Sequence, residues 1–437
     1  MTAPYAFAFI CYRDRKIAPP MTPSIRVRRA PLPQTWLRLL TIPNIRRLAE
    51  TRVLTNMYFY SAVLVKFETS RGLNYTEIFL LESVLSLSIW LLNIPTGVWA
   101  DRVGYRRLLI VSRILNLASV LVTLVSFNFF IFAIGSVLFG AGVACDAGAE
   151  DAVLMRTLAD GSRAGEPISS SSAFALLGAS ASVGFFIGLV TGSLFAAHDP
   201  TIAVVATLFP AALAIGTTWL LRPLPPLPAA PETAGGADRQ AAPHPLAAAW
   251  RLMRREPALV GLSLVQSGSW VCVNAIFWYN QPLLGRAGVV ERWYGPLTAL
   301  AVACGIIVPL LLPTARRWLN RRLCFGLSLL APGIAYLALA RAASPWLVVA
   351  LLALVVGGSA WREPLLSEAL NERIADEARA TTLSALAFLG ALAGALANAL
   401  VGRAGDAGLA VVGFGLGATL IALACAAPWL MPRESAS

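Results

Sequence analysis

Stretches of about twenty apolar residues recur along the chain, separated by short segments that carry charge, Gly or Pro. The hydrocarbon core of a bilayer is about 30 Å thick, so a helix needs about 20 apolar residues to cross it with every backbone polar group satisfied internally. The pattern therefore predicts twelve membrane-spanning helices, numbered here as spans 1 to 12. The predicted ranges are roughly 49–69, 77–99, 107–126, 128–149, 170–192, 200–221, 258–281, 294–312, 323–341, 345–368, 381–402 and 408–430.

One polar segment, residues 222–256, is much longer than the others and lies between spans 6 and 7. It begins with a Pro-, Ala- and Gly-rich stretch, a composition typical of a flexible linker. Its last part, residues 246–255, combines apolar and basic residues and predicts an amphipathic helix at the membrane interface. We therefore predict an all-α integral membrane protein with two six-helix halves. The predicted divisions are a tail at 1–47, halves at 48–221 and 257–430, the linker at 222–256 and a tail at 431–437.

The composition supports a membrane protein over a soluble one. Apolar residues make up 57% of the 437 residues and charged residues only 13%, about half of the roughly 25% that soluble proteins carry. The mean hydropathy is +0.69. So few charges do not cover the surface of a soluble fold of this size, which indicates a membrane protein. In a membrane protein, the formal net charge of +12 does not by itself predict binding to nucleic acid.

The basic residues are distributed unevenly between the loops on the two sides of the predicted bundle. Twenty-six fall in the N-terminal tail and the loops after even-numbered spans, and five fall in the loops after odd-numbered spans. The positive-inside rule places the basic side in the cytoplasm. We therefore predict a multi-pass protein of a bacterial inner membrane with both termini inside. The N-terminal tail lacks the residue order of a signal peptide; we expect it to be disordered, with Met21 as an alternative start.

The loop between spans 2 and 3 has the sequence GVWADRVGYRRLL, from Gly97 to Leu109. It resembles the loop signature of the major facilitator superfamily, G-x-x-x-D-R-x-G-R-[KR]. Gly97 suits a close helix approach, and Gly104 suits a tight turn. Tyr105 stands where the first Arg of the signature is usual, which leaves Arg106 or Arg107 for that role. The resemblance implies a gating motif that locks the outward-facing state and consists of Gly97, Asp101, Arg102, Gly104, Arg106 and Arg107.

Two further segments resemble the bacterial drug-efflux-like branch of that superfamily, which has twelve helices. They are GAGVACDAGAEDAVL at the end of span 4 and REPLLSEALNERIADEARATTLS after the middle of span 10. Two features of proton-driven exporters are missing, because residues 136–138 contain no Arg and span 5 has spaced glycines without the usual Pro. Glycines at such spacing are typical of helix packing. Resemblance to this branch implies efflux by antiport. Because two features of proton-driven exporters are missing, the antiport mechanism stays open.

The resemblance implies that spans 1, 4, 7 and 10 line a central cavity near the bilayer midplane. Helical periodicity places five polar or aromatic residues on one face of span 7. A similar face on span 1 carries Arg52, Asn56, Tyr60 and Phe67. Amides are costly in lipid, so they either line the cavity or bond to neighbouring helices. The candidate cavity residues are Asn56, Tyr60, Gln266, Trp270, Asn274, Phe277 and Gln281.

Ionisable residues within spans are candidates for proton coupling or gating. Glu82 is the first coupling candidate, because it lies inside span 2 without a basic residue within four positions, and a buried carboxylate favours binding a proton. Asp146 is the second. With Glu150 and Asp151 it forms an acidic cluster at the inner end of span 4, within reach of arginines at 102, 106 or 113. Lys66 and Glu68 are expected to extend toward the membrane surface.

These observations predict a secondary active transporter that exports a small amphipathic compound by alternating access, driven by protons. The alternatives are an importer or uniporter of a small solute, and a membrane sensor or scaffold that does not transport. We predict no enzyme, because neither a nucleotide-binding loop nor a catalytic cluster is present. The six cysteines form no C-x-x-C pair and the two histidines are far apart, so no metal or cofactor is predicted. The expected partners are a small-molecule substrate, protons and the lipid bilayer, with no nucleic acid, and we expect a monomer.

The arginine asymmetry leads to a topology prediction. A membrane-impermeant thiol reagent added outside the cell is expected to label single cysteines introduced near Arg71 or Arg286. It is expected to leave cysteines near Arg106 or Gly236 unlabelled until the membrane is permeabilised. External labelling at Gly236 in intact cells would contradict the predicted orientation.

Overall fold

The computed structural model describes residues 32–163, 169–197, 199–223, 251, 254–255, 257–373 and 379–431, and these are helical apart from short turns. Most of the predicted interfacial helix at 246–255 and most of the predicted linker lie outside the described residues. The all-α prediction is confirmed. Nine spans are single helices: Tyr75–Val103, Tyr105–Val125, Ser170–Phe195, Pro200–Trp219, Pro257–Arg286, Arg321–Leu339, Pro345–Arg373, Arg379–Ala407 and Leu409–Leu430, which are spans 2, 3, 5, 6, 7, 9, 10, 11 and 12.

Three spans are interrupted, contrary to the prediction of continuous helices. Ten helices in the described part of the chain are long and apolar enough to cross a membrane, and they correspond to every predicted span except 1 and 8. Span 1 consists of Pro43–Asn56, a 3₁₀ turn at Phe59–Ala62 and Leu64–Ser70. Span 8 consists of Tyr294–Ile307, a 3₁₀ turn at Val308–Leu311 and Leu312–Ala315. Span 4 divides into Phe129–Asp146 and Ala149–Arg163.

Several spans begin where an Asn or Asp side chain accepts a hydrogen bond from the first turn of the helix. Asn74, Asn128, Asp199 and Asn320 do this for spans 2, 4, 6 and 9. Such a cap satisfies one of the N–H groups that a helix start leaves unpaired. At Asp199 the bond from the Thr201 N–H lowers the pKa of the carboxyl. The short Asn- and Asp-containing loops of the sequence therefore define where these helices start.

A helix at Leu32–Thr41 precedes span 1 and corrects the prediction of a wholly disordered N-terminal tail. Leu39 is buried, and Trp36 and Leu40 are partly buried, in a small apolar cluster with residues of spans 1, 3, 4 and 5. Burial of apolar area stabilises this helix by about 25 cal/mol per Å². Residues 36, 39 and 40 lie on one helical face, a pattern hidden in the sequence by the surrounding basic and Pro residues.

The interruption of span 1 is packed directly against a row of glycines on span 5. A Cβ added at Gly188 would lie 2.9 Å from the Tyr58 backbone nitrogen, and one added at Gly192 would collide with the Phe59 carbonyl. The Phe59 N–H, freed by the break, donates to Thr207 Oγ1 on span 6 at 3.1 Å. Irregular backbone is tolerated at membrane depth where neighbouring protein satisfies it. Spans 5 and 6 therefore support the break by close approach and by a hydrogen bond.

The twelve spans pack as two groups, one on each side of the 222–256 segment. Spans 1 and 5, 3 and 4, 3 and 6, and 2 and 4 are neighbours in the first group; spans 9 and 12, 9 and 10, 8 and 10, and 7 and 11 are neighbours in the second. Spans 2 and 11, and spans 5 and 8, join the groups. We call these the first and second groups below.

The glycine row gives a stability prediction. We expect Gly192→Ala to lower the free energy of unfolding by about 1–3 kcal/mol, because the added methyl group overpacks a rigid backbone contact. Gly216→Ala on span 6 is the matched control, since an added Cβ there meets no atom within 4 Å. Thermal unfolding of the purified protein in detergent measures both changes. Equal melting temperatures for the two variants would contradict the close approach.

Candidate functional site

One end of the molecule is closed by a carboxylate that caps a helix of the other group. Asp406, near the end of span 11, accepts hydrogen bonds from the backbone N–H groups of Tyr75 at 2.7 Å and Thr76 at 3.1 Å. It also accepts from the Thr76 hydroxyl at 2.5 Å. Tyr75 and Thr76 begin span 2, and a helix N-terminus favours a negative charge through its free N–H groups and its dipole. The second group thus holds the start of span 2.

Further polar contacts join the two groups at the same end. Lys66 of span 1 forms an ion pair with Glu291, which precedes span 8. The Lys66 backbone N–H donates to Gln281 Oε1 on span 7 at 3.3 Å, and the Ser193 hydroxyl on span 5 donates to the Arg292 carbonyl at 3.0 Å. We call this end, defined by Asp406 and these contacts, the closed end. The Gly104 turn lies at the opposite, arginine-rich end.

Two buried glutamates lie on the first two spans, Glu68 at the closed end of span 1 and Glu82 within span 2. Glu68 is 4% exposed and Glu82 is 3% exposed. The Asn274 amide on span 7 donates to Glu82 Oε1 at 3.2 Å, so the bond crosses between the groups. Glu68 Oε2 and Glu82 Oε2 are each buried without a hydrogen-bond partner. The two carboxyls are close enough to interact electrostatically. We call Glu68 and Glu82 the acidic pair.

Aromatic side chains lie on the same spans as the acidic pair. Tyr60 on span 1 is buried and interacts electrostatically with Glu68. Phe79, one turn from Glu82, has its ring centroid 6.3 Å from that of Trp278 and 5.4 Å from that of Tyr279. The site therefore combines two carboxyls with a largely aromatic and apolar wall.

The amides on the predicted polar face of span 7 bond to three different spans. Gln281 meets the span 1 backbone, Asn274 meets Glu82, and Gln266 bonds to Glu363 on span 10. Each amide thus bonds to a neighbouring span, which was the alternative to a role in the cavity lining. Four of the five residues on this face also remain partly exposed: Gln266, Trp270, Asn274 and Phe277. Their part in binding a substrate stays a prediction.

The other span 1 candidates occupy different surroundings. Asn56 is 3% exposed, and its amide donates to the Arg52 carbonyl one turn earlier at 2.8 Å. Tyr60 lies in the 3₁₀ turn beside Tyr58. The interruption of span 1 removes the continuous face on which the sequence placed Arg52, Asn56, Tyr60 and Phe67. Tyr60 approaches the acidic pair, whereas Arg52 does not.

Arg52 belongs to a charge cluster at the arginine-rich end of the first group. Its Nε donates to Glu150 Oε1 at 2.6 Å. Arg113 of span 3 lies 2.7 Å from Asp146 and 3.7 Å from Glu150. Arg113 and Glu150 are each 2% exposed, so the charges are compensated by one another. Of the arginines considered from the sequence as partners of the acidic cluster, Arg113 is one that pairs with it, and Asp151 interacts electrostatically with Arg52.

The loop motif between spans 2 and 3 contacts the end of span 6. Gly104 has φ of 92° and forms the predicted tight turn. Arg106 donates to the Trp219 carbonyl at 2.5 Å and lies 5.8 Å from the centre of its ring, instead of joining the acidic cluster. A cation there is favoured by the helix dipole. Tyr105, the departure from the signature, lies against Arg156, with 4.5 Å from the guanidinium to the ring centre.

Other members of the motif make fewer contacts. Arg102 and Arg107 are exposed, and the side chain of Asp101 lies outside the described residues. Gly97 is also exposed, and a Cβ added there would meet no atom within 4 Å. The expectation that Gly97 permits a close helix approach is therefore wrong for this structure, because no described residue packs against the helix at that position.

The second group has a related ion pair at the arginine-rich end. Arg316, after span 8, lies 2.9 Å from Glu368 on span 10, and Arg321 lies 3.9 Å from the same carboxylate. Nearer the middle, Arg362 is 1% exposed and donates to the Ser328 carbonyl at 3.1 Å and to the Ser359 hydroxyl at 3.2 Å. Each of these ion pairs lies within one group.

No cluster of three or more His, Cys, Asp or Glu side chains suited to a metal ion occurs among the described residues. The cysteines at 145, 272, 304, 324 and 425 are free thiols.

Two six-span groups that are joined at one end and have buried polar side chains between them have the architecture of a membrane transporter. A family model of the Major Facilitator Superfamily matches residues 52–398. The chain belongs to this superfamily, as the loop signature predicts, and it is a multi-pass membrane protein of the secondary transporter type.

Solved structures share the fold at low sequence identity. A variant of the nucleoside transporter NupG is 12% identical, with 89% of this chain and 100% of that chain covered and a TM-score of 0.74. A bacterial homolog of the human lysosomal transporter Spinster, inward-facing and unoccupied, is 17% identical over 92% and 99% of the chains, with a TM-score of 0.67. A POT family transporter in complex with 5-aminolevulinic acid is 14% identical over 89% and 96%, with a TM-score of 0.65. No curated protein sequence matches the chain.

The closed end gives a prediction about conformation. We expect Asp406→Ala to increase the population open at this end about fivefold, because a helix cap contributes about 1 kcal/mol and this cap joins the two groups. Electron–electron resonance between spin labels at Ser70 and Ala343, in a background without reactive native cysteines, measures the separation.

Glu77→Ala is the matched control for this prediction. Glu77 accepts from the Asn74 N–H at 2.9 Å and thus also caps span 2, but from within the first group. The control is expected to leave the distance distribution unchanged. An identical distribution for Asp406→Ala and the unmodified protein would contradict a gating role.

Proposed function

We propose that the chain is a proton-coupled secondary transporter that exports a small amphipathic compound by alternating access, with the arginine-rich end in the cytoplasm of a bacterial cell. The superfamily supports secondary transport of a small molecule. The direction, the proton and the orientation are part of the proposal. The arginine asymmetry supports the orientation, and the resemblance of spans 4 and 10 to drug-efflux-like proteins supports export.

The single observation that carries the coupling proposal is the bond from Asn274 to Glu82. A buried carboxyl of the first group accepts a hydrogen bond from the second group, beside the contacts of the closed end. If the closed end opens, the two groups separate there and Glu82 loses this donor. A carboxylate that loses a donor and gains access to water changes its affinity for protons. Proton binding at Glu82 is thereby linked to the side on which the transporter is open.

Asp146, the second coupling candidate, fits a structural role better. It lies 2.7 Å from Arg113, which also approaches Glu150. We propose that the ion pairs of Arg113 with Asp146 and Glu150 connect spans 3 and 4 as fixed structure. The loop motif with Asp101, Arg102 and Arg106 then gates the cytoplasmic end. Glu82 then carries the transported proton.

An importer of a small solute is the second candidate. The same alternation and the same carboxyl serve symport if substrate and proton bind together rather than in competition. The named structural neighbours include a nucleoside transporter and transporters holding a peptide conjugate or 5-aminolevulinic acid, so the fold serves varied solutes. Antiport is favoured here by the efflux-like segments at the ends of spans 4 and 10.

Glu82→Gln tests the coupling. The substitution keeps the shape of the side chain and removes its titration, so pH-gradient-driven transport is expected to be lost while exchange of substrate across the membrane continues. Proteoliposome counterflow against a compound library, with and without a pH gradient, measures both activities.

Asp160→Asn is the matched control, because Asp160 is an exposed carboxyl near the end of the second helix of span 4. The control is expected to transport as the unmodified protein does. Gradient-driven transport by Glu82→Gln at the unmodified rate would exclude Glu82 as the coupling site.

A further inference from the structure

A buried amide on span 11 has an oxygen without a hydrogen-bond partner. Asn398 is 4% exposed, and its Oδ1 is a buried atom that no described residue satisfies. Leu396 and Leu400, on the opposite face of the same helix, are exposed. Asn398 therefore faces the interior of the molecule, where a polar atom without a partner is unfavourable.

Contacts between spans 2 and 11 place this amide level with Glu82. A Cβ added at Gly402 would lie 3.1 Å from the Phe79 Cβ, and the Ser83 hydroxyl donates to the Ala395 carbonyl at 3.0 Å. Glu82 lies between these two contacts on span 2, and the amide lies between them on span 11. The two side chains therefore share one level of the packed helices.

Contacts between spans 7 and 11 place the same amide level with Asn274. A Cβ added at Gly394 would lie 3.7 Å from Val271 Cγ2, and the Tyr279 hydroxyl donates to the Val401 carbonyl at 3.0 Å. The amide follows Gly394 by about one turn, as Asn274 follows Val271. It lies on the face of span 11 that carries Gly394, because residues four apart share a face.

The carboxyl of Glu82 is the third side chain at this junction of spans 2, 7 and 11. Its Oε1 accepts from the Asn274 amide at 3.2 Å, whereas its Oε2 is buried without a hydrogen-bond partner. Glu82 Oε2 and Asn398 Oδ1 are thus two acceptors that lack a donor at one junction. An ionised carboxylate has no hydrogen to donate, but a protonated one has an O–H.

The titratable side chains on the spans around Glu82 do not supply the missing donor in the described part of the chain. Glu68 on span 1 is a carboxyl that interacts with Glu82 electrostatically. Asp146 on span 4 is held in an ion pair with span 3. Tyr279 on span 7 donates its hydroxyl to a span 11 carbonyl, and Asp406 on span 11 accepts from the start of span 2.

We propose that Asn398 is a positioning residue for the transported proton, with its Oδ1 accepting a hydrogen bond from the protonated Oε2 of Glu82. Asn274 continues to donate to Oε1, so the protonated carboxyl bonds to spans 7 and 11 at once. One proton, taken from water, thereby satisfies both oxygens that lack a partner. This inference deepens the proposed coupling and rests on it.

The two protonation states of Glu82 then differ in how they join the two groups. The protonated carboxyl bonds to two spans of the second group, whereas the carboxylate bonds to Asn274 alone and meets Asn398 Oδ1 as a second acceptor. Proton binding therefore strengthens the contact between the groups, and their separation breaks both bonds.

Infrared difference spectroscopy of the full-length protein in lipid vesicles tests this bond without a substrate. Spectra at low minus high pH contain the C=O stretch of each carboxyl that takes up a proton, and the band that is absent from Glu82→Gln belongs to Glu82. A C=O stretch moves to higher wavenumber when the carboxyl loses a hydrogen bond. We expect this shift in Asn398→Leu, which keeps the approximate size of the side chain and removes the acceptor.

Asn116→Leu is the matched control for this substitution. Asn116 on span 3 is also a buried amide whose Oδ1 lacks a partner, but it packs against Gly142 of span 4. The Glu82 band is expected at its unmodified position in this control. Asn398→Ala adds no bulk and is expected to move the band as Asn398→Leu does. An equal shift in both Leu variants, or an unmoved band in both Asn398 variants, would refute the role of Asn398.

The spectrum and the transport assay distinguish the failure of this inference from that of the proposed function. A Glu82 band that titrates but keeps its position in the Asn398 variants would reject this inference and retain Glu82 as the coupling site. The absence of a Glu82 band at every pH, together with gradient-driven transport by Glu82→Gln at the unmodified rate, would reject both.

Discussion

The structure depends on one constraint: in an apolar medium, every polar group must find its partner within the protein. Most backbone groups meet it through helical hydrogen bonds. Where span 1 breaks, Thr207 on span 6 accepts the freed N–H of Phe59 at 3.1 Å, and the span 5 glycines allow the irregular backbone to pack without a gap. The break in turn lets Tyr60 approach the acidic pair. A local failure of helical bonding is thus supported by two neighbours and shapes the site.

The same constraint separates the charged groups into two kinds. Charges at the arginine-rich end compensate one another within a group, as Arg52 does with Glu150 at 2.6 Å. Breaking such a buried pair leaves an uncompensated charge and is strongly unfavourable, so these pairs suit fixed structure. The acidic pair has no such compensation among the described residues. Groups left with unused bonding capacity are the ones available to a proton or a ligand.

The sequence predicts the spans well because length and apolarity decide them, and it predicts the Gly104 turn because few other residues adopt that conformation. It does not predict the break in span 1, since the residues from Met57 to Val63 are as apolar as a continuous helix. The sequence makes Glu82 a candidate for proton coupling and Asn274 a candidate for the cavity, without connecting the two. Only the fold brings these residues, 192 positions apart, into a hydrogen bond. Glu68 resembles a surface residue in the sequence because it ends a span beside Lys66. No sequence signal distinguishes Asp406 from other loop carboxylates.

When the two groups separate at the closed end, the polar side chains that join them can exchange their protein partners for water. The Asp406 cap, the Lys66–Glu291 pair and the Asn274–Glu82 bond all join polar groups that water satisfies equally well when the groups separate. Net hydrogen-bond contributions of about 0.5–1.5 kcal/mol each leave two states of a transporter only a few kcal/mol apart, as alternation requires. Under the proposed coupling, proton binding at Glu82 is a change of this size, and it acts at a hydrogen bond that joins the two groups.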